Sequence, residues 1–162
     1  MVEHVATKVD IDPGTLTQII DVLKVNPLMS MFSNMELHDL LSQGVLLDLD
    51  AENVLSRQGE PVDHMFFIWE GRARAVFGAG RKADTFAVLN LLRPSDDIGL
   101  LSIVDGGPHS ATVIALEPMR VVSVPIERFR DSCAQHPESY KIISQIAISR
   151  MRNMGTWLGI LL

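Results

Sequence analysis

The chain has a single cysteine in 162 residues. No internal disulfide framework can staple it, and nothing in it points to an oxidising compartment. Its five histidines, His4, His38, His64, His109 and His136, include no HxH pair, which argues against the clustered ligands of a metal enzyme. No stretch approaches about 20 consecutive apolar residues, so no transmembrane helix is expected. The opening MVEHVATKVD lacks a basic segment followed by an apolar run, so no signal peptide is expected either, and a cytoplasmic location is the default. Basic charge is also short. Fourteen Lys and Arg face 20 Asp and Glu for a net charge of −6, and the basic residues are scattered, with Arg81-Lys82 the one adjacent pair and Arg150/Arg152 among those two apart. A DNA-binding surface needs a basic face, so neither DNA nor membrane is expected as a partner.

What is present is a globular composition, 47% apolar, in a length that suits one domain spanning residues 1–162. Asp12-Pro13 reads as a helix N-cap with proline in the first turn. Leu16, Ile19, Ile20 and Leu23 follow at amphipathic spacing until Asn26-Pro27 ends the helix. Ser33-Asn34-Met35-Glu36 is a capping-box pattern before Leu37, Leu40 and Leu41. Two helices over 12–44 are thus expected ahead of any strand. From Val45 the period changes to two, giving strands at 45–50, 53–57, 64–69, 72–77, 83–92, 110–115 and 119–124 with Gly and Pro turns between them. Seven or so short strands over 45–124 predict a mainly β fold of the jelly-roll (double-stranded β-helix) barrel kind.

The helical period returns over 125–162. Ile126, Phe129 and Cys133 share one face, so Cys133 reads as core and not as a nucleophile. The last helix carries Tyr140, Ile143, Ala147, Met151, Met154, Leu158 and Leu161 in one long stripe, with Ile142, Ile146 and Ile148 off it. A helix apolar over more than one face must bury more than one face. It either packs on its own barrel alone or also pairs across a two-fold homodimer, and the dimer is preferred.

The stretch Pro94 to Val113, PSDDIGLLSIVDGGPHSATV, reads as strand end, tight turn, short apolar helical turn, Gly-Gly-Pro loop and new strand. Backbone N–H groups at the start of such a helical turn can receive an anion. Together with Asn26-Pro27-Leu28, Phe32 and SNMELHDLL, and with Gly59-Glu60 followed by HMFFIWEGRARAVF, it resembles the cyclic nucleotide-binding domain family. Gly99, Pro108, Ala111, Thr112 and Val113 match that family's phosphate-binding cassette. The resemblance implies a regulatory domain with no catalytic residues and no cofactor. Its ligand would be cyclic AMP or cyclic GMP, held by a cassette at Gly99, Leu100, Leu101, Ser102, His109, Ser110 and Ala111.

Four cassette positions depart from the family pattern. Leu100 stands where the family has the glutamate that accepts the ribose hydroxyl, and His109 where it has the arginine that pairs with the cyclic phosphate. Ser95 replaces a glycine and Ile98 a phenylalanine. Leucine accepts no hydrogen bond, and a histidine that is mostly neutral near pH 7 lacks arginine's two parallel donors. Two lost charge-assisted bonds are worth roughly 3–6 kcal/mol, or about two to four decades of affinity.

His109 has two open readings, one member of a residual anion site with Ser110 and the backbone of 99–102, or a solvated turn residue. The adjacent acids Asp96 and Asp97 point apart on one turn, and Asp96 suits a turn, so no catalytic pair or other constellation is expected. Nor does a marked Cys or His suggest haem. In transcription regulators of the family a helix-turn-helix domain follows the last helix. It would need on the order of 60 further residues, so a chain ending at Leu162 is expected to be a stand-alone sensor or assembly module if complete.

Three functions follow. The first is a non-enzymatic sensor with weak or altered binding of a nucleotide or small anion. The second is a degenerate pocket on a module that acts through homodimer or effector-protein contacts along the C-terminal helix. The third, a cupin-like enzyme, is the weakest. Apolar residues opposite Leu100 would favour the second.

Overall fold

The computed structural model describes residues 6–78 and 87–161, with 87–89 and 154–161 described as backbone only. Period-two alternation organises its centre. In β4 (His64–Glu70), Met65, Phe67 and Trp69 point to one side and Ile68 to the other; in β9 (Met119–Pro125), Val122 and Val124 oppose Met119 and Val121. These two strands pair antiparallel with Phe67 opposite Val122. They form the middle of a five-stranded sheet, in the order β1 (Thr7–Val9), β2 (Val45–Leu49), β9, β4, β7 (Asp97–Ile98). A second sheet runs β3 (Val54–Ser56), β8 (Thr112–Ala115), β5 (Ala73–Phe77), β6 (Ala87–Leu92). Every pairing is antiparallel. The result is the expected mainly β jelly roll, flanked by N-terminal helices and a long C-terminal helix.

Two apolar cores follow from the alternation. Between the sheets lie Leu47, Leu49, Ile68, Ile98, Met119 and Val121 from the larger and Ala73, Ala75, Val113 and Ala115 from the smaller. On the outer side of the larger sheet, Met65, Phe67, Val122 and Val124 meet the helices. Those helices are α1 (Pro13–Leu23), α2 (Asn34–Ser42), α3 (Leu100–Asp105), α4 (Ile126–Ala134) and α5 (Glu138–Leu161). Phe129 of α4 stacks edge-on to Phe32 at 6.4 Å and tilts against Phe67 at 5.7 Å. Burying a side chain of that size contributes about 1.5–3 kcal/mol.

The caps are those the sequence predicts. Asp12 accepts from the Thr15 N–H at 3.0 Å with Pro13 opening α1. Ser33 and Glu36 exchange bonds of 3.2 and 2.8 Å at the start of α2. At Gly71, φ is +86° and a Cβ would sit 2.5 Å from Met119 Cβ, so only glycine closes the β4–β5 turn.

Three expectations are corrected. A strand, β1, precedes α1, added antiparallel to β2 through Thr7 opposite Asp48. Its three residues are all exposed, so no alternation announces it. A further two-residue strand, β7, is likewise unannounced because Asp97 and Ile98 are both buried. The long stripe of α5 is also redistributed. The inward row is Ser139, Ile143 and Ala147, whereas Tyr140, Ile148 and Met151 are 47%, 52% and 63% exposed. The side chains of Met154, Leu158 and Leu161, and the predicted strand residues 83–86 and turn residues 79–82, lie outside what is described.

Candidate functional site

The cassette begins on a strained residue. Ser95 has φ +78°, a left-handed conformation that costs a non-glycine residue about 1–2 kcal/mol, and it stands where the family pattern has glycine. The surroundings hold it there. The Ser95 N–H donates to the Ile68 carbonyl at 2.8 Å, and the Asn26 amide donates to the Ser95 carbonyl at 3.0 Å. Asp96 Oδ2 accepts from the Arg93 N–H at 2.9 Å. Burial pushes the Asp96 carboxyl above its ordinary range, partly offset by that bond.

Gly99, φ +105°, is the N-cap of α3, and Gly106, φ +68°, its C-cap. A Cβ on Gly99 would lie 3.1 Å from Val62 Cγ1 and 3.2 Å from Met65 Sδ. The turn after α3 is braced by Ser102 Oγ, which donates to the Gly107 carbonyl at 2.6 Å, and by Asp105, which accepts from the Gly107 N–H at 2.7 Å. Arg130 of α4 donates to the Ser102 carbonyl at 3.0 Å.

The predicted site residues do not converge on one cavity. Ile98 faces the core between the sheets, but Leu100, fully buried, belongs to the helical core on the other side of the larger sheet, with Met65, Phe129 and Ile143. Leu101 is half-buried, Ser102 is buried and committed to Gly107, Ser110 is exposed, and Ala111 packs at the edge of the inter-sheet core.

His109 is 9% exposed, so the solvated-turn reading is overturned. Its backbone is clamped, the N–H donating to the Glu60 carbonyl and the carbonyl accepting from the Gly59 N–H, both at 2.9 Å. This pairing draws the ring into the β3–β4 loop. Burial depresses its pKa, with Glu60 and Asp63 nearby pulling it back up. Held below its ordinary range by burial, the ring is less readily charged than a free histidine and is a poorer partner for an anion. The inter-sheet cluster is built of aliphatic residues, among them Leu47, Leu49, Ile68 and Val121, and Leu100 lies outside it, among the apolar residues of the helical core.

Two open clefts lie elsewhere. One, about 460 Å³, runs between Pro61–Asp63, Gly106–Pro108 and α4 at Glu127 and Arg130; another, about 300 Å³, lies along α5 at Gln145, Ile148, Ser149, Arg152 and Asn153. Neither is lined by Leu100 or His109. Cys133 is fully buried and its thiol pushed up to about 11 by burial, which makes it inert. Among the described residues no three His, Cys, Asp or Glu gather as a metal site, and no helix is long and apolar enough to cross a membrane.

Sequence reasoning missed Asp97, the charged residue buried deepest in the cassette, with 2% of its side chain exposed. It accepts two bonds of 2.9 Å from Arg150 of α5 and one of 3.1 Å from Asn26. Asp96 and Asp97 are adjacent, and sequence alone reads them as neighbours on one turn. No alternation marks Asp97, because β7 is two residues long, both buried, and Asp96 lies outside it.

The cyclic nucleotide-binding domain model matches residues 46–136, more than half of the chain. A CRP-like cAMP-activated global transcriptional regulator of Mycobacterium tuberculosis is 28% identical over 108 residues, 65% of this chain and 46% of that protein. This chain therefore spans about half the length of that curated relative. The sensor domain of the transcriptional regulator DNR from Pseudomonas aeruginosa superposes with a TM-score of 0.73 at 16% identity, covering 86% of this chain and 92% of that one. A cyclic nucleotide-binding domain from Methylobacillus flagellatus gives 0.70 at 20% identity, covering 96% and 88%. The order of helices and strands, the glycine-capped cassette and the matched family model lead to one conclusion: the chain belongs to the cyclic nucleotide-binding domain family.

Proposed function

We propose that this chain is a non-enzymatic regulatory module whose cassette has lost the family's grip on a cyclic nucleotide and which acts through its C-terminal helix. The family is regulatory and mostly non-enzymatic, with cyclic AMP or cyclic GMP as its ligands. The observation that carries the reading is Leu100. Where a ribose acceptor would be needed, the side chain is an apolar one, fully buried among the helices. His109, buried and with its pKa lowered by that burial, supports the same conclusion. Binding in the barrel is therefore weak or absent, and neither DNA nor membrane is a partner of this module.

Output then falls to α5. Tyr140, Ile148 and Met151 leave an apolar strip on its outward face, and pairing of that strip across a two-fold homodimer, or with an effector protein, would bury it. Sedimentation velocity of the full chain tests this. A dimer is expected, and Ile148→Glu with Met151→Glu should shift it to monomer by placing charge at the contact. A parent chain that is monomeric at tens of micromolar would refute the homodimer.

A further inference from the structure

His136 stands at the corner between α4 and α5, in the short link of residues 135–137. Both of its ring nitrogens meet carboxylates. Nε2 lies 2.6 Å from Glu36 Oε1 of α2, and Nδ1 lies 3.3 Å from Glu138 Oε1 in the first turn of α5. Its other neighbours bring uncharged groups. Phe32 meets the ring edge-on at 5.2 Å, and the His136 N–H donates to the Cys133 carbonyl of α4 at 3.0 Å. Glu36 and Glu138 are thus the charged groups that bear on the ring. The two are held differently. Glu36 is fixed from behind, its Oε2 accepting from the Ser33 N–H at 2.8 Å within the capping box. Glu138 is 64% exposed and also draws on its own backbone N–H.

An ionised carboxylate can only accept, so both bonds exist together only when both ring nitrogens carry hydrogen, in the imidazolium form. Neutral imidazole has one N–H and one lone pair. Deprotonation therefore sets a lone pair against one carboxylate, and the weaker contact gives way. That contact is the one between Nδ1 and Glu138, the longer of the two and the more exposed to water and salt. Repulsion between the carboxylates adds to this, since Glu36 opposes the ionisation of Glu138 even in the bonded state. We infer that His136 is a proton-operated joint, in which the imidazolium ties the first turn of α5 to α2 and loss of the Nδ1 proton unties α5 alone. The neutral ring keeps its Nε2–H on Glu36, so α2 and the corner stay together while Glu138 turns to solvent. Glu36 first and Glu138 second favour the charged ring, which places the midpoint above the ordinary 6.5. The joint is therefore tied on the acid side and untied on the alkaline side. It is confined to this corner and does not depend on whether the barrel takes a ligand.

Heteronuclear NMR of the full chain from about pH 5 to about pH 9 tests this, with ring nitrogens and backbone amides followed together. The neutral His136 ring should be the Nε2–H tautomer, its Nδ1 taking the shift of an unprotonated nitrogen. Amide shifts of residues 138–141 should titrate with the ring, and those of 34–37 should move several-fold less. Glu36→Gln should lower the ring's midpoint more than Glu138→Gln does. A glutamine amide can either accept from Nδ1 or donate to it. Glu138→Gln should therefore keep the corner tied in both states and cut the pH-dependent shifts of 138–141 at least twofold. A neutral ring with its proton on Nδ1 would overturn the joint, as would the reverse order of the two midpoints. So would shifts at 138–141 as large in Glu138→Gln as in the parent, or a titration of 34–37 equal to that of 138–141.

Discussion

Restoring the family's glutamate separates a lapsed binding site from a filled core. Leu100→Glu replaces a side chain that is fully buried in the helical core, the cluster that also holds Met65, Phe129 and Ile143. The burial lost is worth roughly 1.5–3 kcal/mol, and placing a carboxyl group among apolar neighbours costs about as much again. The sum is roughly 3–6 kcal/mol, a large part of the 5–15 kcal/mol typical of a domain. In a chain of this length it should lower Tm by roughly 6–24 °C. The assay is thermal unfolding followed by circular dichroism at neutral pH, with and without millimolar cyclic AMP. Leu100→Glu combined with His109→Arg should be destabilised in the same way and should gain no ligand-dependent rise in Tm. A Leu100→Glu protein within about 1 kcal/mol of the parent would mean that position 100 faces a solvated cavity. The reasoning from its burial would then fail.

Two more predictions concern the frame around the cassette. Ser95→Gly should stabilise the protein by about 1 kcal/mol, because glycine takes φ +78° without the steric cost that serine carries; an unchanged or lower urea midpoint would contradict this. His136 sits between Glu36 Oε1 at 2.6 Å and Glu138 Oε1 at 3.3 Å, edge-on to Phe32 at 5.2 Å, and so joins α2 to the α4–α5 junction. Hydrogen bonds donated to the Glu36 and then the Glu138 carboxylate raise its pKa above the ordinary 6.5, so its contribution is full below that value and fades as pH rises through the folded pKa. Glu36, lowered to about 2 first by the Ser33 N–H and then by His136, contributes above its ordinary 4.5 and loses that only as pH falls. The clamp is therefore strongest between about pH 4.5 and 6.5. Urea midpoints across that range and up to about pH 9 should fall on the alkaline side in the parent and lose this dependence in His136→Gln; equal slopes in the two proteins would refute it.

Much of this fold is readable from local chemistry. The Asp12 and Ser33 caps, the switch to period two at Val45 and the glycines around α3 each act within a few residues, so pattern alone reveals them. β1 and β7 escape because one is exposed on every residue and the other buried on both, leaving no alternation to see. The cassette was legible as backbone but not as site. Ile98 and Leu100 are both apolar and two residues apart, yet one enters the inter-sheet core and the other the helical core. Only the turn at Gly99, where strand gives way to helix, decides that. Asp97 and Arg150 are 53 residues apart, and no periodicity links residues brought together by the packing of a terminal helix on a sheet edge. His109 was ambiguous because burial comes from the pairing of its backbone with Glu60, again a contact between distant loops.

The central claim is that the cassette keeps the family's geometry without its grip on a nucleotide. Calorimetric titration of the full chain with cyclic AMP and with cyclic GMP, at about pH 6 and about pH 8, on either side of the ordinary histidine pKa, tests it most directly. With roughly 3–6 kcal/mol of side-chain contacts missing, the account predicts no Kd tighter than about 0.1 mM for either nucleotide at either pH. A micromolar Kd for either nucleotide would contradict it.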